Sequence, residues 1–142
     1  MYFKRISDLR IDNDLTQKDI SKTLNVPRNT YSKWELGTVN MPLDKLEEFA
    51  EYFNVSIDYV LGLSDDKKNN SKGKFDREIL RRRLKKVRNK NNTSEIKLSS
   101  ILKMPQTTYS GYENGHSIMP LTKLYNFAQY FNVSVDYLMG RK

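Results

Sequence analysis

The chain contains no cysteine, which excludes disulfides, thiolate metal sites and a cysteine nucleophile. It has a single histidine, His116, and its carboxylates are scattered without ligand spacing, so neither a metal site nor an acid–base pair takes shape. There is no glycine-rich phosphate loop. An enzyme is not expected, and no cofactor or metal is implied. No apolar run approaches the roughly 20 residues of a membrane span. No signal peptide opens the chain either, because Met1-Tyr2-Phe3-Lys4-Arg5 leads straight into an amphipathic helix. The expectation is a cytoplasmic protein with no membrane partner.

What is present is charge. The 142 residues are 37% hydrophobic, enough for a globular fold but too polar for one large core, so two small domains fit better than one. The net charge of +8 at pH 7 and a pI of about 9.6 suggest a polyanionic partner without naming it.

The chain contains itself twice. Residues 41–62 recur at 119–140, identical at 15 of 22 positions with an offset of 78. The same offset carries Thr30-Tyr31-Ser32 onto Thr108-Tyr109-Ser110, and Glu35 and Gly37 onto Glu113 and Gly115. This is a tandem duplication: residues 1–63 form one domain and 75–142 a second, divergent one. Between them, residues 64–74 hold no apolar residue and read as a flexible linker. Fully stretched, such a segment spans roughly 38 Å; as a relaxed coil it spans about 18 Å. Net charge is −2 over residues 1–63, +2 over the linker and +8 over residues 75–142.

The stretch from Thr16 to Gly37 reads as two short helices across a tight turn. Apolar residues at Ile20, Leu24, Val26, Tyr31 and Trp34 have helical spacing on either side of Asn25 and lose it there. Thr16 is a helix N-cap with Asp19 three residues on. Asn25 stands where the chain needs a left-handed residue, and Pro27 sets φ for the second helix. The layout is helix-turn-helix, whose second helix lies in the DNA major groove. At Thr16-Gln17, Ile20-Ser21, Leu24 and Glu35-Leu36-Gly37 the chain resembles the Cro and phage-repressor (XRE) family of helix-turn-helix domains. The resemblance implies an all-α protein: two tandem five-helix, lambda-repressor-like domains joined by the linker.

Each copy divides into helices in the same way. The first helix runs over about Phe3 to Ile11, with Phe3, Ile6 and Leu9 inward, and again over about Asp76 to Arg88, with Leu80, Leu84 and Val87 inward. A fourth helix starts at Pro42 and Pro120, with Leu43, Leu46, Ala50 and Phe53 inward in the first copy. Ser56 and Ser134 cap a short fifth helix, with Val55 and Val60 in staple positions. The resemblance implies pairing of Arg10 with Glu35, and of Arg88 with Glu113. It also implies that the fifth helix can carry a dimer contact, through Ile57, Val60 and Leu61 or Val135, Leu138 and Met139; a buried-core role is equally open for these.

The expected partner is a double-stranded DNA operator. Gln17 resembles the family's glutamine at a phosphate-binding helix start. Arg28, Asn29, Thr30 and Lys33 project from the recognition helix away from Tyr31 and Trp34, and Arg and Asn can bond guanine and adenine edges in a fork. The second copy departs from this set. Glu95 replaces Gln17, Gln106 and Thr107 replace Arg28 and Asn29, Thr108 keeps Thr30, and Gly111 replaces Lys33. Lys103 replaces the turn's Asn25, and Lys97 replaces Asp19, so the capping pair is expected to be lost. The second copy's positive excess lies in its first helix, where Arg81, Arg82 and Lys85 are candidates for phosphate contact, a solvated helix face being the other reading.

The reading is a transcriptional regulator in which the first domain reads bases and the second supplies phosphate affinity or a dimer contact. Two operator arrangements stay open: one chain clamping adjacent half-sites, or a homodimer. The alternative is an interaction module, antitoxin or anti-repressor in kind, using the acidic face at Glu47, Glu48 and Glu51 toward a protein partner.

Overall fold

The computed structural model describes Met1–Lys142 and is helical throughout, apart from one isolated antiparallel bridge between Val55 and Lys68. The chain divides into two compact units, Met1–Asn70 and Ser71–Lys142. The first holds α1 (Lys4–Asp12), α2 (Gln17–Thr23), α3 (Arg28–Leu36), α4 (Leu43–Phe53) and α5 (Ile57–Val60). The second holds α6 (Arg77–Lys90), α7 (Glu95–Ile101), α8 (Gln106–Glu113), α9 (Leu121–Phe131) and α10 (Val135–Leu138). The all-α fold expected from the sequence is the one observed. No helix is long and apolar enough to cross a membrane.

The cap of α2 is reciprocal. Thr16 Oγ1 accepts from the Asp19 amide at 3.1 Å, and Asp19 Oδ2 accepts from the Thr16 amide at 2.8 Å. Those bonds, the one from the Thr16 backbone first, hold the Asp19 carboxyl below its ordinary range. In α7 the expected loss is only half true: Ser94 Oγ still accepts from the Lys97 amide at 3.1 Å. What is missing is the return bond, because an ammonium has no acceptor to offer. The prolines also differ from expectation. Pro27, Pro42 and Pro120 occupy the capping position itself, with ψ between 145° and 153°, and the helix begins at the next residue. The turn follows the sequence: Asn25 is left-handed at φ 57°, and Lys103 takes the same conformation at φ 56° without asparagine's tolerance for it.

In the first unit α1, α2, α3 and α4 close over Ile6, Ile20, Leu24, Tyr31, Leu46 and Phe49, all buried. The second unit repeats this with Leu84, Leu98, Leu102, Tyr109, Leu124 and Phe127. Phe53, Val26 and Met104 are only half-buried. The short fifth helix is capped as expected, Ser56 Oγ accepting from the Tyr59 amide at 3.0 Å with Val55 and Val60 buried on either side. Its apolar residues are all consumed by the core. Ile57, Val60, Leu61, Val135, Leu138 and Met139 are at most 3% exposed, which removes all six as dimer contacts.

One pairing the sequence did not announce repeats in both units. Arg5 lies over the Tyr59 ring at 4.2 Å and donates to the carbonyls of Tyr59 at 2.9 Å and Ser64 at 2.6 Å. Arg83, 78 residues on, lies over Tyr137 at 4.1 Å and donates to the carbonyls of Tyr137 and Lys142. These arginines fasten the first helix to the fifth.

Candidate nucleic-acid interface

The recognition helix α3 owes its orientation to what lies behind it. Tyr31 and Trp34 are 0% and 5% exposed, and their rings meet edge to face with centroids 6.3 Å apart. Such a pair contributes about 0.5–1.5 kcal/mol beyond the area it buries. The opposite face of the helix therefore points out: Arg28, Asn29 and Lys33 are exposed, and Thr30 is half-exposed. Gly37 ends the helix at φ 77°, and the Thr38 amide returns to the Lys33 carbonyl at 3.1 Å.

Glu35 ties that helix to α1. Arg10 Nε donates to Glu35 Oε2 at 2.7 Å, its second nitrogen donates to Oε1 at 3.1 Å, and a third bond reaches the Leu15 carbonyl at 2.8 Å. Burial alone favours the neutral acid, but the Arg10 bonds outweigh it and hold the Glu35 carboxyl below its ordinary range. Gln17, expected to reach a phosphate, has its amide nitrogen directed at Glu35 Oε1, 3.4 Å away. The Tyr31 hydroxyl is buried behind Glu35, and burial first, then the neighbouring carboxylate, raise its pKa.

The second unit keeps the frame and changes the face. Arg88 donates to Glu113 at 2.7 and 2.9 Å and to the Thr93 carbonyl at 2.9 Å; the Glu113 bond is the main cause of its raised pKa. The Tyr109 hydroxyl donates to Glu113 as well. On α8, Gln106, Thr107 and Thr108 are exposed and uncharged. Glu95 brings a carboxylate to the start of α7, and its Oε2 is buried with no hydrogen-bond partner.

The three basic candidates on α6 are not equivalent. Arg81 is paired with Glu78 at 2.6 Å and lies along Gly115, beyond the carboxyl end of α8. Most of the length of α8, about 7–11 Å, therefore lies between it and Gln106, Thr107 and Thr108. Arg82 is 70% exposed and only 3.8 Å from the same Glu78, and Lys85 is exposed. Arg83 is withdrawn by Tyr137.

Sequence reasoning passed over two groups that shape this face. Lys45 Nζ donates to the Leu24 carbonyl at 2.8 Å, and Lys123 Nζ to the Leu102 carbonyl at 2.6 Å, each closing the end of the helix before the turn. The shared offset of 78 was the signal for both. Lys18 is exposed at the second position of α2, where the second unit has Ile96, 66% exposed.

A helix-turn-helix with a buried rear and a polar front defines the class. The helix-turn-helix family profile matches twice, over residues 6–60 and 84–138, and the chain belongs to that family, in its XRE form. Among curated relatives, it is 36% identical over 66 residues to an uncharacterized HTH-type transcriptional regulator, YobD, of Bacillus subtilis, covering 46% of this chain and 59% of that protein. It is 35% identical over 57 residues to the cryptic phage CTXphi transcriptional repressor RstR of Vibrio cholerae, covering 40% of this chain and 51% of the other. It is 32% identical over 62 residues to the antitoxin PezA of Streptococcus pneumoniae, covering 44% and 39%. The chain thus spans about half the length of the first two relatives. No solved structure matches it.

Proposed function

We propose that the protein is a transcriptional regulator, a repressor in kind, that occupies double-stranded DNA and divides the work between its two domains. In the first, α3 enters the major groove, where Arg28 and Asn29 read base edges and Thr30 and Lys33 support them. In the second, Arg82 and Lys85 on α6 add affinity for phosphate, and the uncharged α8 adds little sequence preference. The observation that carries this reading is the pair of faces on α3, Tyr31 and Trp34 packed behind and Arg28, Asn29 and Lys33 exposed in front. Each fork between such a side chain and its base is worth about 1–3 kcal/mol of discrimination. The likeness to the repressor RstR supports the sign of regulation.

Selecting bound sites from random duplex DNA at two salt concentrations tests this. The expected result is a recoverable motif and an affinity falling steeply with salt, by about 0.9 logarithmic units per neutralised phosphate for each decade. Failure to recover any motif would overturn the reading. A second reading, a protein-interaction module, is favoured by the likeness to the antitoxin PezA and by the acidic residues of α4, of which Glu48 and Glu51 are exposed and Glu47 is half-exposed.

A further inference from the structure

The eleven polar residues that join the domains are engaged on both sides. On the first unit, the Ser56 amide donates to the Lys67 carbonyl at 3.2 Å, and Val55 and Lys68 form the antiparallel bridge. Arg5 holds both the Ser64 carbonyl at 2.6 Å and the Asp65 carboxylate at 2.5 Å, and the Lys67 ammonium stands 5.7 Å from the Tyr59 ring centre. On the second unit, the amides of Lys72 and Gly73 both donate to the Arg141 carbonyl, at 2.9 and 3.1 Å, and the Asp76 amide donates to the Met139 carbonyl at 3.0 Å. The anchor beneath them is firm, because the Arg141 side chain is 0% exposed and paired with Asp136 at 2.9 Å. Gly73 is the only residue type that fits there. A Cβ at that position would stand 2.5 Å from the Gly140 carbonyl oxygen.

No more than Asn69, Asn70 and Ser71 therefore lie between the last anchor on one unit and the first on the other. Four Cα steps from Lys68 to Lys72 reach at most about 14 Å, against roughly 38 Å for a loose segment of eleven residues. A short tether raises the effective concentration of the second domain beside a DNA already held by the first, and it penalises any separation the tether cannot span. The two recognition helices also differ, Arg28-Asn29-Thr30 against Gln106-Thr107-Thr108.

Resting on the proposed DNA-binding role, we infer that one chain acts as a covalent heterodimer on a single asymmetric DNA site: a specific segment for the first domain and, within the reach of the short tether, an adjoining segment held by the second. The straps at Ser64–Lys68 and Lys72–Asp76 cap that reach, and a palindromic pair of identical half-sites is not what such a chain would select.

Two measurements on the full chain test this. Amide hydrogen exchange without DNA is expected to show protection at Ser56, Lys72, Gly73 and Asp76, lost at Lys72 and Gly73 in a Gly73→Val variant. Unprotected amides at all four positions would overturn the straps, whatever the DNA data show. In footprinting on the selected site, the wild-type chain is expected to lose at least about tenfold in affinity when five base pairs are inserted between the two protected segments. A variant with ten glycine and serine residues added between Asn70 and Ser71 is expected to lose less than about threefold on the same DNA. Equal tolerance in the two chains, or a palindromic footprint, would overturn the short reach. Absence of any sequence-specific footprint would instead overturn the DNA-binding role, leaving the straps to the exchange result.

Discussion

In the first domain the Glu35 carboxylate is met by Arg10 and by the amide of Gln17, with the Tyr31 hydroxyl behind it also helping to hold its pKa down. In the second domain the Glu113 carboxylate is met by Arg88 and by the hydroxyl of Tyr109, and Glu95 stands in the place of Gln17 with its Oε2 buried and without a hydrogen-bond partner. The same scaffold bond is kept, and the polar residues around it are exchanged. On the faces the exchange goes further, from Arg28, Asn29 and Lys33 to Gln106, Thr107 and Gly111. What the duplication preserved is the fold's internal fastening. What it released is the surface that reads a ligand.

The largest effect is expected at the fastening. The ion pair of the second domain is the more enclosed, with side chains 9% and 3% exposed against 15% and 7% in the first. Removing one partner of such a pair leaves a buried charge uncompensated, at a cost of about 3–5 kcal/mol. Glu113→Ala should lie toward the upper end and Glu35→Ala toward the lower, measured by denaturant unfolding of the full chain. The reverse order would show that burial does not set the difference.

Acid should weaken the first domain by a defined route. The Glu35 and Asp19 carboxyls sit below their ordinary values of 4.5 and 3.8 in the folded state. The unfolded chain therefore takes up protons first, so their contribution is whole above about pH 4.5 and is lost as the pH falls through the folded values. The unfolding midpoint of the first domain should be level down to that point and then decline. A level midpoint down to about pH 3 would mean that neither carboxyl is tied to folding.

A smaller gain is expected at Gly111. A Cβ there would come no closer than 3.7 Å to Ser117 Oγ, so alanine fits. Gly111→Ala should stabilise the second domain by up to about 1 kcal/mol, by helix propensity alone, and a loss of stability would point to a need for flexibility in α8.

Much of this was legible in the residues. Thr16 with Asp19, the left-handed Asn25, the Tyr31 and Trp34 spacing and the repeat at 78 each carry their own local physics, and each is seen in the structure. The straps were not legible, because backbone donors and acceptors in a polar run leave no periodic trace; only the structure shows Lys72 and Gly73 on Arg141. The partners of individual charges were not legible either. Arg81, Arg82 and Arg83 look alike in sequence, yet Glu78 takes the first and Tyr137 the third, leaving Arg82 with Lys85. The fifth helix was ambiguous because a core residue and a dimer contact are equally apolar, and burial decides for Ile57 and Val135.

The claim that the two domains do different work is tested most directly by titrating the selected site and a scrambled duplex, across salt, with Arg28→Ala and with Arg82→Ala/Lys85→Ala. The account predicts that Arg28→Ala loses about 1–3 kcal/mol of discrimination. The double variant should keep its discrimination while its salt slope falls by up to about 2. Equal loss of discrimination in both would contradict it.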